Sequence, residues 1–254
     1  MPRFFRLNIS SPAVAMVAVA LSLTAISTSW AQTNTSTLRL ATWNVTNYAG
    51  AGSRDSDFQN AFYGTFQGRT FAPDILLGQE FTSQTAVNSF VNLLNSGLTA
   101  ATGETGDWAA ATFSNGPDTD NAFFYRTGKV EFLGQAIVSA GAPGNSNPPR
   151  DTNRYDVRIR ADIDNTPLSL YSSHMASQGN PASRRRIEAQ RIRANAQSLP
   201  VGTTFILGGD FNIVDSDDLE YQDLVGSQTN NVGRFFDPIN TPSSGPGEWQ
   251  NNNA

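Results

Sequence analysis

Thr203-Thr204-Phe205-Ile206-Leu207-Gly208-Gly209-Asp210-Phe211-Asn212 is the stretch from which the fold can be read. An apolar, β-branched run stops at two glycines, and two side chains able to hold a cation follow. Such a run reads as a buried strand. The paired glycines suit a close backbone approach or an unusual turn. If strand geometry persists, Asp210 and Asn212 lie two apart and face the same way. A carboxylate and an amide then converge at a strand terminus. The plain alternative is a strand-to-loop exit in which Asp and Asn act as turn formers. It loses ground because the same design recurs three times earlier in the chain.

The first recurrence is Leu38-Arg39-Leu40-Ala41-Thr42-Trp43-Asn44-Val45, a strand in which Asn44 follows an apolar-rich alternation. The second is Ile75-Leu76-Leu77-Gly78-Gln79-Glu80, opened by Pro73-Asp74 and ending on a carboxylate. The third is Leu168-Ser169-Leu170-Tyr171-Ser172-Ser173-His174, which ends on the single histidine of the chain. Between them, Phe58, Phe62 and Phe66 recur every four residues, a helical stripe that reads as core. A helix is expected from about Ser83 to Asn95, with Val87, Phe90, Val91 and Leu94 on one face and Gly97 as its stop. Asn121 to Arg126 and Val130 to Leu133 read as strands joined by Thr127-Gly128-Lys129. Ala142 to Pro149 is rich in Gly, Pro, Asn and Ser and reads as a loop. Arg154 to Ile163 alternates as a half-buried strand. Ala182 to Leu199 is a helix that opens on Arg184, Arg185 and Arg186, an unfavourable sign for a helix N-terminus. Those arginines are either a solvated face or a phosphate-facing edge beside the His174 loop. Alternating strands and helices argue for an α/β layered domain.

With 254 residues, 39% hydrophobic and 15% charged, the chain can bury one sizeable core. The N-terminus does not belong to that core. Arg3 and Arg6 precede an apolar run from Pro12 to Ile26, and Ser29-Trp30-Ala31 places small residues at the −3 and −1 positions. This is a secretory signal-peptide pattern over residues 1–31, too short and wrongly flanked for a membrane anchor. Residues 32–254 are then the domain, exported to a periplasm or the medium, with no membrane span of its own. Removing two arginines and no acid takes the net charge from −5 to −7. With no cysteine, stability must come from packing. So acidic a domain is not an evident electrostatic sponge for nucleic acid.

The strand ends define a chemistry. Two carboxylates, Glu80 and Asp210, with the amide oxygen of Asn44, suit a hard cation such as Mg²⁺, or Mn²⁺ or Ca²⁺ in its place. Mg²⁺ takes oxygen ligands, keeps several waters and completes its shell with phosphate oxygens. One histidine and no cysteine argue against a dedicated Zn²⁺ site. Asp210 is placed to orient or deprotonate a water, Asn212 to hold that water or a phosphate oxygen, and His174 to protonate a leaving oxygen.

Trp43-Asn44-Val45, Gly78-Gln79-Glu80, Ser173-His174 and Gly208-Gly209-Asp210-Phe211-Asn212 stand in the order and spacing of the endonuclease/exonuclease/phosphatase superfamily. The chain resembles that family from about Leu38 to Leu224. The resemblance implies a deoxyribonuclease-I-like sandwich of two mixed β-sheets flanked by helices. It also implies hydrolysis of phosphodiesters or phosphomonoesters with a divalent cation. By the same resemblance Asn44 and Glu80 bind metal, His174, Asp210 and Asn212 are catalytic, and Arg154 matches a substrate-phosphate arginine.

One departure stands out. The family closes with an Asp-His pair on a late strand, whereas no histidine follows His174 and the stretch after Leu224 reads as interrupted loop. The expectation is a domain with its C-terminal part missing, a fragment of an exported, nuclease-like, Mg²⁺-dependent phosphoesterase. The alternative is an inactive domain of the same fold that binds phosphate ligands or partners. Nucleic acid, a phospholipid headgroup and an inositol phosphate all remain open as the phosphate-ester substrate, and the protein is expected to be a monomer.

Overall fold

The computed structural model describes residues 38–116, 120–138, 149–162 and 164–238. The leader at 1–31 and nearly all of the 142–149 loop lie outside the described residues. Ten strands and four helices alternate along the described residues. The first sheet holds β1 (Leu40–Tyr48), β4 (Ile75–Phe81), β6 (Asp120–Arg126) and β5 (Trp108–Ala110), in the order β1-β4-β6-β5. The second holds β10 (Thr204–Asp210), β9 (Leu168–His174), β8 (Thr152–Ile159) and β7 (Val130–Ile137), in the order β10-β9-β8-β7. A short hairpin, β2 (Thr65–Phe66) and β3 (Arg69–Thr70), stands apart. Each large sheet is mixed, with one parallel pair, β1·β4 or β9·β10, and antiparallel partners beyond it.

Strand alternation sorts the apolar residues into three layers. In β4, Leu76 faces α1 (Asp55–Tyr63) and α2 (Gln84–Thr102), where it joins Phe58, Phe62, Phe90 and Phe124. Its neighbours Ile75 and Leu77 face the second sheet and meet Phe123, Tyr155, Val157, Leu168 and Leu170. Tyr171, on the outer side of β9, packs with Ile192 of α3 (Ala182–Gln197) and Leu224 of α4 (Leu219–Val225). Central strands thus bury both faces, which is why β4 and β9 read as near-continuous buried runs. The result is the α/β sandwich of two sheets flanked by helices.

Several local expectations change. Only Phe58 and Phe62 of the aromatic stripe belong to α1; Phe66 sits in β2, 77% exposed. The second helix starts at the expected Ser83, whose hydroxyl caps Ala86 N–H, but runs on to a left-handed Gly103. Gly97 lies inside it, because a Cβ there would come within 2.8 Å of the Tyr63 ring. A glycine read as a stop is therefore a helix–helix contact. The α4 helix carries no sequence forecast; seven residues offer too few turns for a periodicity to show. It explains part of the arginine run. Arg185 is buried and bonded to Glu220 at 2.6 Å, and Arg186 is bonded to Asp223 at 2.8 Å. These two clamp α4 onto α3.

Candidate active site

Parallel pairing brings the four strand ends to one edge of the sandwich. Asn44 lies opposite Gln79 in β1·β4, and Asp210 lies opposite His174 in β9·β10. Thr42 and Gly208 mark the faces turned toward one another, since a Cβ on Gly208 would meet Leu77 Cδ1 at 2.9 Å and Thr42 Cβ at 3.3 Å. Asn44 and Asp210 are two residues further along, so they share those faces. The Asn44 Nδ2 amide donates to Glu80 Oε1 at 2.8 Å and to Asp210 Oδ2 at 3.0 Å. His174 Nε2 stands 3.9 Å from the first of these oxygens and 3.7 Å from the second, with only 6% of the residue exposed. Four residues from four strands and both sheets meet at one point.

Glu80 reaches that point by leaving strand geometry. Its φ is 64°, at a register shift in β4·β6 between Gly78 and Phe81. Thr46 and Asn47, at 52° and 49°, are left-handed too, within an irregularity of β1·β4. Asn212 has φ 49°. Among the described residues, four of the seven non-glycine residues with positive φ thus lie at the site. Each costs on the order of 1–2 kcal/mol, less for Asn. The distortion aims main-chain donors inward. Asn47 N–H donates to Glu80 Oε2 at 3.0 Å, and Thr46 N–H donates to Asn44 Oδ1 at 2.9 Å.

This geometry alters two sequence expectations. The Asn44 oxygen, read as a metal ligand, is engaged by Thr46 N–H, and its amide NH₂ faces the carboxylates. Asn44 is thus also a donor that bridges the two acids, while its oxygen keeps a second lone pair for a cation. The second concerns Asp210 and Asn212. Strand β10 ends at Asp210, so the two share no strand face. Instead Asn212 N–H donates to Asp210 Oδ1 at 3.2 Å, and its side-chain amide donates to Met175 O at 3.0 Å. They still meet, through a turn.

Arg154 is not at the site. It shares a sheet face with Tyr171, its β9 partner, on the outer side beneath α3. Its guanidinium bonds Asp156 Oδ2 at 3.0 Å and Asn195 Oδ1 at 3.0 Å. The inward-facing residues of β8 are Tyr155 and Val157. An arginine that comes closer, sharing a carbonyl with Asn212, is Arg150, four residues earlier and just before β8. Its Nη1 donates to Met175 O at 3.2 Å, the carbonyl that Asn212 also binds. Its place before a strand, following Pro148-Pro149, was the available signal.

Two buried groups also escaped sequence reasoning. Glu188 of α3 is fully buried and accepts Arg150 N–H at 2.5 Å and Ala176 N–H at 3.0 Å, tying the entry to β8 to the exit from β9. Burial pushes its carboxyl above the ordinary range, against the opposing pull of those two amides. Beneath the site, Gln79 Nε2 donates to Ser172 Oγ at 3.0 Å across the sheets, and Ser172 donates to Asn121 Oδ1 at 3.2 Å. A polar bridge of this kind fixes the register of one sheet on the other. Beside Asn44 opens a cavity of about 340 Å³, lined by Trp43, Arg54, Asp57 and Phe58.

No group of three or more His, Cys, Asp or Glu side chains forms a metal cluster among the described residues. The donors nevertheless fit a hard cation. Two carboxylates from different sheets converge on one amide, and Mg²⁺ sites use one or two carboxylates plus water and phosphate oxygen.

No family model matches the chain, and no curated protein does. Solved structures do. The catalytic domain of human Nocturnin with bound sulfate superimposes with a TM-score of 0.54 at 16% identity, over 74% of this chain and 68% of that one. A humanized D. rerio TDP2 gives 0.49 at 18% identity, over 76% and 68%. An endonuclease/exonuclease/phosphatase family protein from Bacteroides thetaiotaomicron gives 0.45 at 19% identity, over 73% and 66%. The chain thus spans about two thirds of the length of each. Two mixed sheets between helix layers give this chain a deoxyribonuclease-I-like fold, the fold it shares with the Nocturnin catalytic domain.

Proposed function

We propose for this chain the chemistry of an exported, divalent-metal-dependent phosphoesterase that hydrolyses phosphodiester or phosphomonoester bonds in a nuclease-like way. The observation that carries this is the convergence of Glu80 and Asp210 on the Asn44 amide, with His174 Nε2 within 3.9 Å of both. The comparison with the Nocturnin catalytic domain, which holds a sulfate anion, supports the fold on which such a site is built.

Glu80 and Asp210 are the residues that would hold Mg²⁺. When bound, the ion supplies charge to offset the developing phosphoryl oxyanion. The remaining work falls to the chain. Arg150, beside Met175 O, presents a planar guanidinium suited to two phosphate oxygens. Asp210, braced by the Asn212 N–H on its other oxygen, accepts the proton of an attacking water. The Asn212 amide, anchored to Met175 O, holds that water or a phosphate oxygen. His174, buried between the two acids, donates a proton to the leaving oxygen.

Calorimetric titration of Mg²⁺ into residues 32–254, wild type and Glu80→Ala, tests the metal reading. Saturable binding lost in the variant supports it, and equal binding by both overturns it. Turnover of a phosphodiester and a phosphomonoester by the product of the whole coding frame, with and without EDTA, tests the reaction. Metal binding with no turnover of either ester would assign a phosphate-binding domain instead.

A further inference from the structure

Arg54 lies outside the set of strand-end residues, yet its bonds lead straight to them. It precedes α1, and its guanidinium rests 5.4 Å from the Phe58 ring centroid. One edge of the guanidinium spans two consecutive carbonyls. Nη1 donates to Val45 O and Nη2 to Thr46 O, both at 2.8 Å. These carbonyls lie on either side of Thr46, the first of the left-handed pair Thr46 and Asn47. The N–H groups of the same pair point the other way, to Asn44 Oδ1 and Glu80 Oε2.

Unusual backbone of this kind persists only where its surroundings over-determine it. Thr46 is β-branched and poorly suited to positive φ. Two charge-assisted bonds from a planar fork restrain it, and that fork lies against the Phe58 ring. We propose that Arg54 is a positioning residue, which acts through the Thr46–Asn47 backbone to hold Glu80 and Asn44 in the geometry that accepts the cation. The inference rests on the metal reading of the site, and extends it to a side chain on the helical flank that bonds the main chain at Val45 and Thr46. Loss of partners that orient metal ligands lowers metal affinity by about 10- to 100-fold.

Three variants of residues 32–254 test this: Arg54→Ala, Arg54→Lys, and Arg54→Ala combined with Thr46→Gly. The first readout is amide hydrogen exchange at Asn47 in metal-free protein. The second is the Mg²⁺ dissociation constant by calorimetry. Arg54→Ala is expected to raise Asn47 exchange and to weaken Mg²⁺ binding 10- to 100-fold in a folded protein. Lys, which cannot span two carbonyls with a planar fork, should recover only part. Gly at 46 adopts the left-handed backbone freely, so the double variant should regain most of the affinity. A general packing role would lower thermal stability in all three and leave the affinity of folded molecules unchanged. Unaltered Asn47 exchange in Arg54→Ala overturns the proposal. If wild type binds no Mg²⁺, the metal reading fails, while the exchange readout still decides whether Arg54 holds this backbone.

Discussion

The β1/β4 half of the site and the β9/β10 half share one topology, a parallel pair whose carboxyl ends present polar side chains. They are built by different means. Strands β9 and β10 stay in register to their last residues, Asp210 against His174. What permits this is steric. A Cβ on Gly209 would overlap the Ser173 carbonyl, and one on Gly208 would press on Leu77 and Thr42 of the opposite sheet. The β1/β4 half instead breaks register after Asn44 and turns Thr46, Asn47 and Glu80 into left-handed backbone, with Arg54 bonded to the carbonyls on either side of Thr46. One half is placed by the absence of atoms, the other by strain and restraint. Errors of placement should therefore be all-or-none in the first and graded in the second.

The largest effect expected from this contrast is in Gly209→Ala. The added methyl collides with main chain that cannot rotate away, and the variant should lose at least about 3 kcal/mol or fail to fold. A melting temperature near wild type by circular dichroism would remove the steric account of this half. Gly208→Ala meets the end of a side chain and should be milder, at about 1–3 kcal/mol.

Asp210→Asn comes next. It keeps the shape of β10 and removes a carboxylate that both halves share. Turnover of a phosphodiester by the complete protein should fall about 10²- to 10⁴-fold with little change in stability. Near-normal turnover would exclude Asp210 as the base.

Smaller, and opposite in sign between the halves, is the response to added glycine. Thr46→Gly relieves a β-branched residue at φ 52°, so thermal stability should hold or rise by up to about 1 kcal/mol. Ser173→Gly, in the regular half, removes the buried contact between the Ser173 and Thr152 hydroxyls at 2.9 Å and should destabilise by about 1–2 kcal/mol. Equal responses to both changes would erase the distinction.

The smallest effect at neutral pH concerns the tyrosines, which stand in both halves. Burial pushes Tyr48 and Tyr63 on the first-sheet side, and Tyr171 on the second, up to about 12. A folded value above the ordinary 10 means that their contribution is complete below pH 10 and is lost as pH rises through 12. Denaturant unfolding should give constant stability from these groups up to pH 10 and a decline beyond it. Tyr63→Phe and Tyr171→Phe should each flatten part of that decline.

The same contrast explains what could be read from the chain. The span of β9 from Leu168 to His174 was legible because both its faces are buried and it stays regular to its end. The site residues of the first sheet were legible in identity but not in posture. Nothing in Thr46-Asn47 announces a left-handed pair, and an amide such as Asn44 gives no sign of which of its ends faces inward. Asn212 was expected to extend a strand that in fact stops at Asp210. Arg154 and Arg150 are equally arginine, and only the outward phase of β8 and the contact with Met175 separate them. Glu188 was hidden by its company, an acid among arginines on a helix whose buried face includes charged residues. Such groups follow from three-dimensional neighbours that no local pattern encodes.

Trp43 sits between these worlds. It is partly buried, next to Asn44 in β1, and its ring meets Phe58 and Phe62 at centroid distances of 5.3 Å. Its wall of the cavity is shared with Arg54. The other described tryptophan, Trp108, is 4% exposed and donates its ring N–H to the Tyr63 hydroxyl at 2.7 Å, away from the strand ends. The molecule therefore carries its own optical gauge. A change in charge or backbone beside Asn44 alters the surroundings of the Trp43 indole while Trp108 supplies a steady background, so the emission lost in Trp43→Phe is the part of the spectrum that reports on the site.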